Sequence, residues 1–147
     1  MKRIFILSLF MLLSLSVKAQ ESVVVIGEDR GSITLRVTAQ GKSAIKAVES
    51  AEVLGLTSIL FRGVPSSKYI AKPMVGVNEE QIVRDHRGYF KSLFNERLSS
   101  FVTSATTKTK IAKDATKKRA ITVDLRYNTA ALKADLEANS VIRKFGL

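Results

Sequence analysis

The stretch that decides the fold class is Ile33-Thr34-Leu35-Arg36-Val37-Thr38-Ala39, in which apolar and polar residues alternate. A period of two is typical of a strand that has one face against a core and the other in solvent. The same pattern returns near the end of the chain, in residues 120–127. The inward positions there are expected to be Ile121, Val123, Leu125 and Tyr127. Together the two strands predict an antiparallel sheet with its helices on one face.

Shorter patterns supply the neighbours of these two strands. Residues 22–26 are β-prone and end at the turn-rich residues 27–31, which predicts a hairpin with the strand that follows. Residues 100–111 predict another strand, although only its first half carries residues that can be buried. This strand forms a long hairpin with residues 120–127, and its tip projects past the core. Residues 141–145 are either a short closing strand or an extended tail packed on the body of the domain.

Helices are predicted where apolar residues recur three and four positions apart. The first begins at the N-cap Ser43 and ends near Phe61, with Gly63 as its stop. The second covers residues 78–95 and opens with a capping box. A kink or break in it is expected at Gly88, since glycine costs about 1 kcal/mol relative to alanine inside a helix.

The last helix begins at the cap Asn128, buries Leu132 and Leu136, and uses Asn139 as a left-handed C-cap. The complete order is β-β-α-α-β-β-α-β. This order predicts an α+β fold, in which an antiparallel sheet of about four to five strands carries its helices on one face. The chain has 147 residues, and we expect residues 20–147 to form a single domain.

The beginning of the chain is typical of a secretory signal peptide, residues 1–19. Lys2 and Arg3 precede residues 4–17, of which eleven are apolar and the other three are serine. Val17-Lys18-Ala19 then predicts cleavage after Ala19 and export to the periplasm or the medium. A membrane span needs about 20 apolar residues, so this run is too short for an anchor. A chain without cysteine is also no lipid-anchored lipoprotein.

A basic cluster is the candidate binding site. The 24 Lys and Arg residues exceed the 13 Asp and Glu residues, and the excess is still +8 after residues 1–19 are removed. A basic excess favours anionic partners, which after export are envelope polymers or lipid head groups. The alternative is that the net charge only keeps the protein soluble, since charge alone identifies no partner. Six cations lie within twelve residues: Lys108, Lys110, Lys113, Lys117, Lys118 and Arg119.

Two interpretations of this basic cluster compete. On a projecting hairpin, it could hold phosphate or carboxylate groups of lipopolysaccharide or peptidoglycan through salt-sensitive contacts. The alternative is a solvated edge, because lysines at a sheet edge discourage aggregation between strands. The segment has no interleaved aromatic residues on which bases could stack, so no nucleic-acid partner is expected.

The sequence offers little enzyme chemistry. It has no cysteine and one histidine, which excludes thiol catalysis, thiolate metal sites and multi-histidine metal sites. His86 follows Asp85 on a predicted helix, where adjacent side chains do not face each other. No nucleotide-binding glycine pattern or calcium loop occurs. The sequence predicts a non-enzymatic protein without catalytic residues, cofactor or metal, and a small hydrolase ranks third among the alternatives.

Three segments carry a family resemblance: Ile33-Thr34-Leu35-Arg36-Val37, Ile59-Leu60-Phe61-Arg62-Gly63-Val64-Pro65 and Leu136-Glu137-Ala138-Asn139-Ser140-Val141-Ile142-Arg143-Lys144-Phe145-Gly146. The chain resembles an uncharacterised family of small secreted proteins from Bacteroidota over most of residues 20–147. Residues 32–61 are also similar to small α+β domains of outer-membrane lipoproteins and flagellar-assembly factors. These resemblances imply a periplasmic accessory or assembly role.

We therefore expect this protein to act by binding a protein partner in the cell envelope. Polyanion binding by the basic cluster is the alternative function. The loop of residues 62–77 is a further surface that a partner could order, since loops of this length are often functional.

Overall fold

Four strands form one antiparallel sheet in the computed structural model, which describes residues 21–110 and 119–144. Their bounds are β1 Ser22–Asp29, β2 Ser32–Gly41, β3 Val102–Lys110 and β4 Arg119–Asn128. The spatial order β1-β2-β4-β3 makes β1 and β3 the two edges of the sheet. Both predicted hairpins form, and the predicted α+β class is confirmed.

Helices connect the two hairpins and follow the last strand. Their bounds are α1 Ala44–Thr57, α2 Glu79–Asp85, α3 Arg87–Ser92 and α4 Thr129–Ala138. α1 continues into a π-helical turn, Ser58–Arg62, and α3 is followed by a π-helical turn, Leu93–Arg97, and a 3₁₀ turn, Leu98–Ser100. None of the helices in the described part of the chain is long and apolar enough to span a bilayer.

The alternating residues of β2 and β4 form the centre of the core. Their inward side chains are at most 2 % exposed, as the period of two predicted: Ile33, Leu35, Val37, Ala39, Ile121, Val123, Leu125 and Tyr127. α1 lies over these two central strands. Its small residues Ala47 and Ala51 are fully buried and allow the helix to approach the sheet closely.

Gly55 allows α1 to pack closely against β4. Gly55 faces the ring of Tyr127, and a Cβ atom at Gly55 would lie 2.3 Å from the Tyr127 hydroxyl oxygen. That hydroxyl donates a 2.8 Å hydrogen bond to the backbone carbonyl oxygen of Glu52. Only a residue without a side chain fits this contact between the helix and β4.

Both side-chain caps predicted at helix N-termini are present for α1 and α4. The Ser43 hydroxyl accepts a hydrogen bond from the Lys46 N–H at 3.2 Å, and the Asn128 side chain accepts one from the Ala131 N–H at 2.9 Å. The capping box predicted at Asn78 is different, because Asn78 makes no side-chain cap hydrogen bond.

The second predicted helix is divided at His86 and not at Gly88. His86 has φ −118° and ψ 35°, which ends α2 and begins α3. The division separates two segments with different burial. α2 has no buried residue, whereas Phe90 of α3 and Leu93 of the turn after it lie in the core.

The predicted closing strand is wrong for residues 141–144, and Phe145 lies outside the described residues. The N–H of Val141 donates to the carbonyl oxygen of Leu136 at 2.9 Å, so the chain folds back on the end of α4. Val141 and Ile142 pack against the core without pairing with a strand. The left-handed residue after α4 is Ser140, with φ 56°, and not Asn139.

Candidate functional site

The basic cluster is only partly within the described residues, since Lys113, Lys117 and Lys118 lie outside them. Lys108 lies in β3, where a bulge interrupts the register with β4 between Thr107 and Thr109. Lys110 is the last residue of β3 and pairs with Ile121. Arg119 begins β4 and is exposed. The anion-binding role of the six residues stays a prediction.

Lys108 is engaged with a carboxylate of its own sheet. Its Nζ atom lies 3.5 Å from Asp124, whose side chain is 11 % exposed. Arg36 donates two hydrogen bonds to the same carboxylate, from Nε at 2.8 Å and from Nη2 at 2.9 Å. The hydrogen bonds from Arg36 hold the pKa of the Asp124 carboxyl below its usual value, and Lys108 makes a smaller contribution in the same direction. The three side chains form an ion-pair cluster that joins β2, β4 and β3 on the solvent face of the sheet.

His86 occupies the break between α2 and α3 and is half-buried. The neighbouring Asp85 carboxylate accepts a hydrogen bond from the Gln81 side chain at 2.8 Å. No group of three or more His, Asp or Glu residues in the described part of the chain is placed to hold a metal ion. The geometry of these residues therefore suggests no particular reaction.

Tyr89, Arg97 and Asp135 form a second polar cluster, which joins the α3 region to α4. The Tyr89 hydroxyl donates to Asp135 at 2.7 Å, and Arg97 donates to both oxygens of that carboxylate at 3.0 Å. Burial raises the pKa of the Tyr89 hydroxyl, and the hydrogen bond to Asp135 raises it further. A phenol that stays protonated is a hydrogen-bond donor here, which fits a structural role.

The loop between the π-helical turn and α2 is fastened to β1. Ser67, which is buried, donates from its hydroxyl to Glu28 at 2.5 Å, and the Lys68 N–H donates to the other Glu28 oxygen at 2.7 Å. These bonds, with Ser67 as the larger contribution, lower the pKa of the Glu28 carboxyl. The N–H groups of Met74 and Val75 bond to carbonyl oxygens at the end of the helix. These hydrogen bonds hold the loop against β1 and the end of the helix.

A groove beside β1 was not predicted from the sequence. It has a volume of about 440 Å³ and runs along α1. Its apolar wall is Val53 and Leu54, and its charged residues are Glu21, Glu49 and Arg62. We call this feature the β1 groove.

Exposed apolar side chains lie on both faces of the sheet near the β1 groove, since Val24 pairs with Arg36 and shares its solvent face, opposite α1. Val24 and Ile26 of β1 are 52 % and 42 % exposed, and Val53 of α1 is 40 % exposed. The signal in the sequence was the uninterrupted run Val23-Val24-Val25-Ile26, where a strand with one solvent face would alternate. Valine side chains therefore lie on both faces of β1, which makes this edge strand apolar on both sides.

Comparisons with known proteins add no relative. No protein-family model matches the chain, and searches of curated proteins and of solved structures gave no significant match. The resemblance to secreted Bacteroidota proteins stays a prediction, and functional arguments depend on the residues described above.

Proposed function

We propose that the protein is a non-enzymatic accessory or assembly protein of the cell envelope, exported to the periplasm, that acts by binding a protein partner in the β1 groove. The observation that carries this proposal is the apolar wall of the β1 groove, formed by Leu54 and by Val53, which is 40 % exposed. Clustered exposed apolar side chains with polar residues at the rim are typical of protein-binding surfaces.

The composition of the β1 groove supports a protein over a polyanion. Val53 and Leu54 are its apolar residues, and two of its three charged residues, Glu21 and Glu49, are carboxylates, the third being Arg62. Glu49 also receives a 2.6 Å contact from Lys46. A phosphate-rich polymer would be repelled by these carboxylates, whereas apolar side chains of a protein would gain by leaving water on Val53 and Leu54.

The proposal is tested by photo-crosslinking from the β1 groove. A photoreactive amino acid at Ser50 is expected to capture one envelope protein, while the same group at Thr106 on the opposite edge captures none. Binding of that protein, once purified, should fall about tenfold or more in Val53→Glu, because a charge would replace the apolar contact. Ile45→Glu is the matched control, since Ile45 is an exposed apolar residue of the same helix and does not line the groove.

The polyanion alternative is the other outcome of the same design. Residues 20–147 would bind lipopolysaccharide or sheared peptidoglycan with an affinity that falls as salt rises. That binding would disappear when the six residues of the basic cluster are changed to Gln, and Val53→Glu would leave it intact.

N-terminal sequencing of the exported protein tests the predicted cleavage of the signal peptide, and Gln20 is the expected first residue.

A further inference from the structure

The outer edge of β1 is open. β1 pairs with β2 on one side, and no strand within residues 21–110 and 119–144 pairs with its other side. Backbone N–H and C=O groups on that side point away from the sheet and can bond to another extended chain. Residues 22–27 at this edge carry no charge.

An uncharged edge is suited to pairing with itself. When two copies of one strand meet around a twofold axis, every charge on the strand approaches the same charge on the other copy. β3 contains Lys108 and Lys110, so its self-pairing would bring like charges together. β1 has no such penalty between Ser22 and Gly27, although the chain as a whole is strongly basic.

We propose that β1 pairs antiparallel with β1 of a second copy, around a twofold axis at Val24, and that the two sheets become one sheet of eight strands. Val24 then faces its symmetry mate, and Val23 of one copy faces Val25 of the other. Both pairs bring together apolar β-branched side chains, which are favourable neighbours across strands. The bulge between Val25 and Gly27 ends the regular part of the strand, so the axis is placed in the segment before it.

The dimer completes the β1 groove, and in this respect the inference rests on the proposed function. Strands are about 4.8 Å apart, and α1 lies over β2 and β4, so the two α1 axes would lie about 19 Å apart across the twofold axis. Helices with side chains are about 10 Å in diameter, which leaves a cleft of about 9 Å, roughly the width of one extended chain. Its floor is Val23 and Val25 of both copies, and Val53 of each copy lines a wall. The partner segment that fits this cleft is extended and apolar.

Disulfide trapping tests the pairing directly, because the chain has no cysteine of its own. In an antiparallel pair, opposite Cα atoms are about 4.5–5.5 Å apart, which is within the range of a disulfide. Val24→Cys is therefore expected to give a covalent dimer under mild oxidation, with a yield about tenfold above that of Ser104→Cys. Ser104 is the matched control, since it is exposed on the edge strand β3. Equal yields from the two variants, or no dimer from either, would overturn the proposed pairing.

Sedimentation of the unmodified chain provides a second measurement. Residues 20–147 should sediment as a dimer that dissociates on dilution, and Val24→Lys should be monomeric because it places two ammonium groups at the axis. Val77→Lys changes another exposed valine, 84 % exposed, and should behave as the unmodified chain. Circular dichroism checks that both variants fold. A monomer at every concentration up to about 1 mM would refute the dimer.

The two proposals fail separately. A sedimentation experiment uses the purified chain alone, so it does not depend on any partner. Capture of a protein from Ser50 by a chain that is monomeric would keep the proposed function and refute the dimer. A dimer in which the photoreactive group at Ser50 captures no protein would support the dimer and refute the proposed function.

Discussion

The two edges of the sheet differ in what lies beside them. The β1 groove lies at the start of β1, and the inward residues Val23 and Val25 of this strand pack against the core. β3 has exposed residues from Thr103 to Thr109, on both of its faces. Its contact with the core is confined to the beginning, where Phe101 is buried and Val102 is half-buried.

The inward faces of the two edge strands differ in their contact with the core. α1 lies over β2 and β4, Val23 and Val25 of β1 still pack against the core, and the inward face of β3 is exposed from Thr103 onward. A strand that faces water on both sides gains nothing from apolar side chains, and β3 consists mostly of Ser, Thr and Lys. Lysine at such an edge also opposes association. The apolar edge is therefore the one suited to contacts with another chain, and the polar edge is the one suited to solvent.

The largest expected effect comes from displacing α1, which forms the wall of the β1 groove. In Gly55→Ala, the added methyl group would overlap the Tyr127 hydroxyl, so either the helix or β4 must move. Overpacking of this kind costs about 1–3 kcal/mol, and we expect the upper end because backbone and ring are both fixed. Urea unfolding measures the loss, and hydrogen exchange should show faster opening along α1 than along β3.

Gly88→Ala is the matched control for that prediction. An added Cβ at Gly88 meets no atom within 4 Å, and the residue lies inside α3. This substitution should stabilise the chain by about 0.5–1 kcal/mol, through the helix propensity of alanine. If Gly55→Ala were as stable as the original chain, the close contact between α1 and the ring of Tyr127 would be refuted.

The sequence predicted the centre of the fold better than its edges. Alternation along Ile33–Ala39 and residues 120–127 identified the two buried strands, because a period of two has one physical cause. Ser43 and Asn128 were recognised as caps because short polar side chains before an apolar repeat have a specific local role. Both signals are local, so one chain was enough to find them.

The edges depend on contacts between distant segments. Arg36 lies in β2 and Asp124 lies in β4, and nothing in their spacing along the sequence shows that the two side chains meet. The β1 groove depends likewise on where α1 lies relative to β1. His86 ends a helix although Gly88 has the lower propensity, because burial of Phe90 and Leu93 outweighs a local preference. The basic cluster was visible in the sequence, but the pairing of Lys108 with Asp124 was not.

A smaller effect is expected from Asp124→Asn, which acts on the polar edge. The substitution removes the charge that holds Arg36 and Lys108 together on the solvent face. Both cations are about half exposed, so solvent screening limits the loss to about 1 kcal/mol in urea unfolding. Hydrogen exchange should increase in β3 and remain unchanged in β1. The control is Glu49→Gln, whose pair with Lys46 is exposed on both sides and should contribute almost nothing.

The smallest effect is expected at the apolar edge, from Glu28→Gln, and it depends on pH. Hydrogen bonds from Ser67 and Lys68 hold the pKa of the Glu28 carboxyl below its ordinary value of 4.5 in the folded chain. A carboxyl with a lowered pKa stabilises the fold above the unfolded value, and this contribution is lost as the pH falls. The original chain should therefore be more stable than Glu28→Gln at neutral pH, and the two should converge as the pH falls through the lowered pKa of Glu28.

Thermal unfolding at a series of pH values measures this convergence. Asp29 and Asp124 also have lowered pKa values, so acid destabilises both chains, and only their difference reports on Glu28. Glu80→Gln, at an exposed residue in the first turn of α2, is the matched control. A constant difference between the original chain and Glu28→Gln from neutral to acid pH would mean that the charge of Glu28 does not hold the loop to β1. The loop would then be fastened by its backbone hydrogen bonds alone, and the apolar edge would owe its order to packing.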